Sequence, residues 1–286
     1  MATLKYEILQ SFRDHSFRTG AGLCIRNKID AIRFVDERGY IFFWPITGIT
    51  FPSLWVSVTG DRPVASAHDD PGHITWRWKD DLLGKGIWYY AKIIRKKSTL
   101  VSMDIVPYFY ALSENYGSPE HDYLTLYEQG LMTHEAKVIY EAILTGGPLD
   151  TITIRQISHM NTRASAGNFD RAINTLQSDF KILPVGIAQT GGWRYAFIYD
   201  IVARHYPEIQ DQAQQIPEDE ARLKLIELYF SSVGAAQVGE IRKFFGWKKP
   251  LIERALQKLL TTGFLIPGIK IEQQPGEWFI FRDLMP

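Results

Sequence analysis

The densest run of residues able to do chemistry is His68-Asp69-Asp70-Pro71-Gly72-His73. Two carboxylates beside two imidazoles could activate a water or ligate a metal. The same six residues also read as a polar turn, because Asp-Pro-Gly is turn chemistry. No metal and no cofactor is expected. Cys24 is the one cysteine, which leaves no disulfide within the chain and no Cys-based zinc site. Set between Leu23 and Ile25, it reads as apolar filler rather than a nucleophile. No glycine-rich phosphate loop of the Walker or dinucleotide type occurs.

A second group is built for charge. Arg77, Lys79, Lys85, Lys92, Arg95, Lys96 and Lys97 face only Asp80 and Asp81 within residues 77–97. Trp76, Trp78, Trp88, Tyr89 and Tyr90 are interleaved with them. Cations of this density contact phosphates, and aromatic faces stack unpaired bases. The rival reading is a solvated face over an aromatic core. Strand alternation of Lys92, Ile94 and Lys96 puts cations on one face, which favours contact.

The elements that must position these groups are clearest in the C-terminal half. Thr133–Leu144 carries Ala136, Ile139, Tyr140, Ile143 and Leu144 at helical spacing, and Gly146-Gly147-Pro148 stops it. A short helix is expected over Ile152–His159 and a third over Asn168–Phe180. Two β-type runs follow, Lys181–Ala188 and Trp193–Asp200, joined at Gln189-Thr190-Gly191-Gly192. Three helices and a hairpin are the winged-helix order, whose third helix reads a groove.

The order recurs in Glu218–Val233, Ala235–Phe245, Pro250–Leu260, Phe264–Ile271 and Trp278–Phe281. Arg171-Ala172 and Arg254-Ala255 lie 83 apart, as do Leu176 and Leu259, and Pro184 and Pro267. One offset through helix and strand marks an internal duplication. A fainter copy places Ile29–Arg38 and Gly39 on the stretch ending at Leu265, with Ala31 matching Ala255 and Val35 matching Leu259.

The fold class is therefore mainly α with small β wings (α+β). Residues 1–60 form a divergent winged-helix unit and 61–130 an aromatic, basic connecting region, with strand-like Ile87–Ile94 and a helix near Asp104–Asn115. Residues 131–205 and 206–286 are two further winged-helix units, entered through a polar linker at Tyr206–Pro217. Of the 286 residues 45% are hydrophobic, and Lys plus Arg and Asp plus Glu both number 32. Zero formal charge argues against a polycation that coats DNA, while leaving room for a local basic face. The N-terminus lacks an apolar signal segment and no 18-residue apolar run occurs. A monomer in the cytoplasm, associated with the nucleoid and not with a membrane, is the expectation.

Phe197–Ile209 (FIYDIVARHYPEI), Glu220–Phe245 and Gln274–Trp278 (QPGEW) resemble the winged-helix DNA glycosylases of the YcaQ/AlkZ type. The resemblance is good over about residues 125–286 and weak before that. It implies three tandem winged helices around a DNA channel. The family carries Gln-x-Gln or Gln-x-Asp after the third helix of its first unit. The corresponding text here is Gly39-Tyr40-Ile41-Phe42-Phe43-Trp44-Pro45-Ile46. Phe42 and Trp44 stand at the two catalytic positions. Hydrolysis of an N-glycosidic bond needs groups that hold water and stabilise an oxocarbenium-like charge, and these side chains do neither. A further alignment sets the family's His-Glu segment against Lys96-Lys97.

The expectation is a DNA-binding relative that contacts duplex or damaged DNA through phosphate and shape, without the usual base excision. Arg77, Lys79, Lys92, Arg95, Lys96 and Lys97 are its candidate contacts in the connecting region. Arg171, Asn174, Gln177 and Arg194 serve the second unit, and Lys248, Lys249 and Arg254 the last. One alternative is an active glycosylase with a relocated catalytic residue, for which Asp69, Asp70 and Glu37 are candidates. Another is a transcription regulator that reads bases through Arg171, Asn174 and Gln177.

Overall fold

Helix starts and stops follow local side-chain chemistry. The structure, a computed structural model, describes residues 3–67, 69–190 and 195–285. A short strand β1 (Thr3–Leu4) leads into helix α1 (Tyr6–Ser16). Asn27 accepts the Asp30 N–H to open α2 (Lys28–Arg38), and Gly39 at φ 76° closes it. A β-carbon at Gly39 would meet Leu228 at 2.7 Å, so glycine is required there for space as well as for φ. Strand β2 (Tyr40–Phe42), helices α3 (Leu54–Thr59) and α4 (Ile74–Leu82), and strands β3 (Trp88–Lys92) and β4 (Ser98–Ser102) follow. Then come α5 (Val106–Tyr110), α6 (Pro119–Glu128) and α7 (His134–Gly146), the last capped by the Thr133 hydroxyl.

Strand β5 (Leu149–Asp150) feeds α8 (Thr151–Ile157), whose first amides donate to Asp150. Next are α9 (Ala166–Ser178), β6 (Ile182–Ala188), β7 (Ala196–Ile201), α10 (Val202–His205) and α11 (Pro207–Gln214). The last stretch holds α12 (Glu218–Val233), β8 (Ala235–Ala236), α13 (Val238–Phe245), α14 (Lys249–Thr261), β9 (Leu265–Ile271) and β10 (Trp278–Phe281). Among the described residues the fold is mainly helical with three small sheets. Among the described residues no helix is long and apolar enough to cross a membrane.

The sheets share one topology. Their orders are β2-β4-β3, β5-β7-β6 and β8-β10-β9-β1; apart from the added β1, each sets the last strand in chain order between the other two. The bounds of α14 (249–261) and β9 (265–271) are those of α9 (166–178) and β6 (182–188) moved by 83. The duplication thus holds to the residue where the sequence showed it.

The N-terminal part departs from expectation. Helix α2, set above against the third helix of the last unit, instead precedes the edge strand β2. It stands where α7 precedes β5 and α12 precedes β8. Strand β2 pairs with β4 (Tyr40 opposite Val101), so this sheet draws on both sides of residue 60. Strand β1 joins β9 in parallel, with Thr3 opposite Lys270, and the Arg13 guanidinium donates to the Val233 carbonyl at 2.9 Å. The first residues therefore belong to the C-terminal sheet.

Two further corrections have local causes. The stretch Tyr206–Pro217 is largely helix rather than linker: Pro207 sits in the first turn of α11, and Ile209 and Ala213, four apart, are buried. Ala235 and Ala236 form strand β8 rather than helix, paired with Ile280 and Phe279. One apolar cluster, which includes Tyr40, Phe42, Tyr89, Phe180, Leu225, Tyr229 and Phe244, ties the three helix–sheet groups together. The Tyr40 hydroxyl donates to the Leu225 carbonyl at 2.6 Å inside it.

Candidate nucleic-acid interface

Strand alternation places Phe42, and the end of the strand places Trp44. Tyr40 and Phe42 face the cluster shared with α12 and α13, while Ile41 and Phe43 face the cluster under α2 and α4. Phe42 is 1% exposed, with its ring centroid 5.9 Å from Phe51 and 5.6 Å from Phe244. The strand ends there, and Trp44 leaves on the other side. Trp44 is half-buried, 5.1 Å from Trp55, 6.0 Å from Trp76 and 6.3 Å from His73. Trp76 is 40% exposed and lies 5.9 Å from Tyr195. Thus Phe42 is core, and Trp44 is part of an aromatic patch that reaches the surface through Trp76.

The carboxylates are dispersed and mostly occupied. Asp70 accepts both guanidinium nitrogens of Arg62, at 3.0 and 2.6 Å, and the Gly72 N–H at 2.7 Å. The Arg62 hydrogen bonds hold it below the usual carboxylate range. This latch fixes a turn in which a β-carbon on Gly72 would meet Thr59 at 2.4 Å and Trp55 at 2.8 Å. Asp69 is exposed. Glu37 is ion-paired to Arg18 at 2.6 Å and lines a different cavity, together with Cys24 and Arg33. The three candidates are not gathered into one site. His68 lies outside the described residues, among which no cluster of three potential metal ligands occurs.

The cations divide into buried and free. Lys79 is a correction to the phosphate-contact expectation: its side chain is 3% exposed, with Nζ 2.7 Å from Asp80. Nζ also donates to the Tyr195 hydroxyl at 2.8 Å, and that hydroxyl donates to Asp80 at 2.9 Å. Rings of Phe197, Trp76 and Tyr90 lie 4.6, 5.2 and 5.2 Å away. Burial lowers the Lys79 pKa against the pull of Asp80. Tyr195, 116 residues from Lys79, carried no local signal of this role.

Gln177 is a second correction. It is 2% exposed, accepts the Lys92 N–H at 3.2 Å and donates to the Ile173 carbonyl at 3.3 Å. Helix α9 packs against β3 and the turn at Ile94–Lys96, which takes Gln177 out of any groove-reading face. Asn174 is half-buried on the same helix, and Arg171 is exposed and donates to Asn168. Lys92 is half-buried, and burial lowers its pKa. Arg95 and Lys96 are exposed, yet Arg95 donates to the Lys243 carbonyl at 2.8 Å and Lys96 to Thr175 at 2.6 Å. Lys249 pairs with Glu253 at 3.3 Å and Arg254 with Asp219 at 3.1 Å. Arg77, Lys97 and Lys248 are exposed, and none forms an ion pair among the described residues. Arg194 and the hairpin tip from Gly191 lie outside the described residues.

A family model described as AlkZ related matches residues 25–246. The chain belongs to the AlkZ-related family. The DNA glycosylase AlkZ of Streptomyces sahachiroi superposes on it with a TM-score of 0.61, covering 98% of this chain and 71% of that one. At 10% identity this likeness concerns the fold. No curated protein matches the sequence. In this AlkZ-related chain, Phe42 and Trp44 are built into apolar clusters on opposite sides of a short sheet.

Proposed function

We propose that this AlkZ-related protein binds duplex or damaged DNA through phosphate and shape, and lacks base excision at the family's catalytic positions. Three winged-helix units, at 28–102, 134–201 and 218–281, form the scaffold in this reading, supported by the common order of the three sheets. The free cations Arg77, Lys97 and Lys248 neutralise phosphates, while burial of Gln177 removes one of the three base readers that the regulator would need. The carrying observation is Phe42 sealed in the core on one side of the sheet and a Trp44–Trp76 patch that reaches the surface on the other. Phenylalanine there cannot orient water, whereas an exposed indole can stack an unpaired base.

Polarisation titrations at several salt concentrations test this reading. Log affinity falls linearly with log salt, with a slope of about −0.9 per phosphate neutralised. A duplex carrying one unpaired base binds roughly five- to a hundredfold tighter than a matched one, the range expected for one stacked base. Trp76→Ala abolishes that preference and leaves the salt slope unchanged. Absence of binding to any duplex at low salt refutes the proposal.

A further inference from the structure

A cavity of about 380 Å³ lies where the three helix–sheet groups meet, away from the Trp44–Trp76 patch. Its apolar walls include Ile93 and Ile94 from the β3–β4 turn, Phe109 from α5, Phe180 after α9, Phe245 at the end of α13 and Trp247 before α14. Phe245 and Trp247 stack at 4.1 Å with an interplanar angle of 13°. A cavity of this size, with aliphatic and aromatic walls and a few polar groups, set between structural units, has the form of a small-molecule site.

Two observations show that the cavity is more than a packing gap. First, two carboxylates line it: Glu114 accepts the Tyr116 hydroxyl, whereas Asp179 has little to satisfy it. Its one side-chain donor is the Ser178 hydroxyl at 2.9 Å, and among the described residues no cation lies within ion-pair distance. Burial raises its pKa, with Lys96 and Lys181 opposing from further off. A half-buried carboxylate with acceptor sites left over offers them to a ligand whose N–H groups replace its water. Second, the rim is strained. Arg95 at φ 53° and Lys96 at φ 55° are consecutive non-glycine residues in the left-handed region. Such backbone persists where the surroundings over-determine it, and it concentrates at ligand clamps. The Arg95 guanidinium is exposed and tied to the Lys243 carbonyl at 2.8 Å, so its charge stays at the rim.

We infer that this cavity binds a flat aromatic ring bearing an amidine-like N–C–N edge, with the ring among Phe109, Phe180, Phe245 and Trp247 and the N–H groups on Asp179. The apolar walls exclude water from the ring. The carboxylate takes two parallel N–H donors, the geometry that makes charge-assisted pairs strong and directional. The site is distinct from the DNA-binding proposal and does not depend on it.

Ligand-observed NMR titrations on the full chain test the inference with three flat probes: 2-aminobenzimidazole, benzimidazole and indole-2-carboxylate. The first binds roughly tenfold or more tightly than the second, because it adds a charge-assisted donor. The third, with a carboxylate facing a carboxylate, does not bind. Asp179→Asn, nearly isosteric, lowers the affinity of 2-aminobenzimidazole to that of benzimidazole, and Asp219→Asn on the surface changes nothing. Equal affinities of the first two probes for the unaltered protein overturn the inference. So does an undiminished preference in a folded Asp179→Asn variant. Thermal melts of each variant establish folding, and polarisation with duplex DNA in parallel keeps this outcome separate from that of the proposed function.

Discussion

Replacing Phe42 with glutamine restores the residue type that the glycosylase resemblance assigns to this position, and it is expected to damage the fold without creating a catalyst. Phe42 is 1% exposed between Phe51 and Phe244, at ring distances of 5.9 and 5.6 Å. Truncating a buried phenylalanine costs about 3–5 kcal/mol. Glutamine refills part of the volume but buries an amide among Phe51, Tyr229 and Phe244, where each unsatisfied group costs about 1–3 kcal/mol. A net loss of about 4–6 kcal/mol follows, which at about 2 °C per kcal/mol for a chain of this length lowers Tm by roughly 10 °C. Trp44→Gln, at a half-buried position, should cost only about 1–2 kcal/mol. Urea unfolding followed by circular dichroism measures both. A Phe42→Gln variant within 1 kcal/mol of the unaltered protein refutes the assignment of Phe42 to the core, and a double variant that releases bases refutes the account of lost chemistry.

Three other outcomes are expected. Burial depresses the Lys181 pKa to about 8, while the unfolded value is about 10.4, so the unfolded chain holds more protons between these limits and stability rises with pH. The stability of the unaltered protein relative to Lys181→Met should grow by about 2 kcal/mol from about pH 7.5 to about 9.5, and parallel denaturation curves contradict this. Burial pushes the Asp200 carboxyl up, but hydrogen bonds from His205 and Arg204 prevail and hold it below the carboxylate range, while Asp200 raises the His205 pKa. Asp200→Asn should cost about 3 kcal/mol at neutral pH; the Asp200 contribution is present above pH ~4 and is lost as pH falls through its folded pKa, while that of His205 is present below pH ~6.5 and is lost as pH rises through its raised value. Urea midpoints across pH locate both windows, and a single flat profile refutes the pairing. Lys97→Ala should weaken duplex binding equally on all sequences and reduce the salt slope by about 0.9, whereas Lys79→Met should lower Tm and leave the slope unchanged; polarisation and melting curves distinguish them.

What was legible in the sequence was local. Apolar spacing located α7, α9, α12 and α14, and the 83-residue offset carried through α14 and β9 because both copies keep the same helix-to-strand register. Charge counts could not show which cations are free. Lys79 and Lys97 look alike in sequence, yet Asp80 and the distant Tyr195 bury the first and nothing covers the second. Gln177 has a groove-reading spacing on α9, but the end of β3 reaches it first, through the Lys92 N–H. The first sheet escaped notice because β2 and β4 are separated by the long stretch that contains α3 and α4, and no periodicity reports a pairing across it. The cavity at Asp179 is built from five separate segments, and its geometry exists only once they pack.

The central claim is binding without excision, and one experiment measures both. Purified protein at saturating concentration is incubated with a methylated duplex, with bound DNA followed by polarisation and released bases quantified from the same sample. The account predicts full occupancy with release no greater than in a mock preparation. Release above that background, abolished by Asp69→Asn, Asp70→Asn or Glu37→Gln without loss of affinity, would contradict it and place an excision centre elsewhere on the same scaffold.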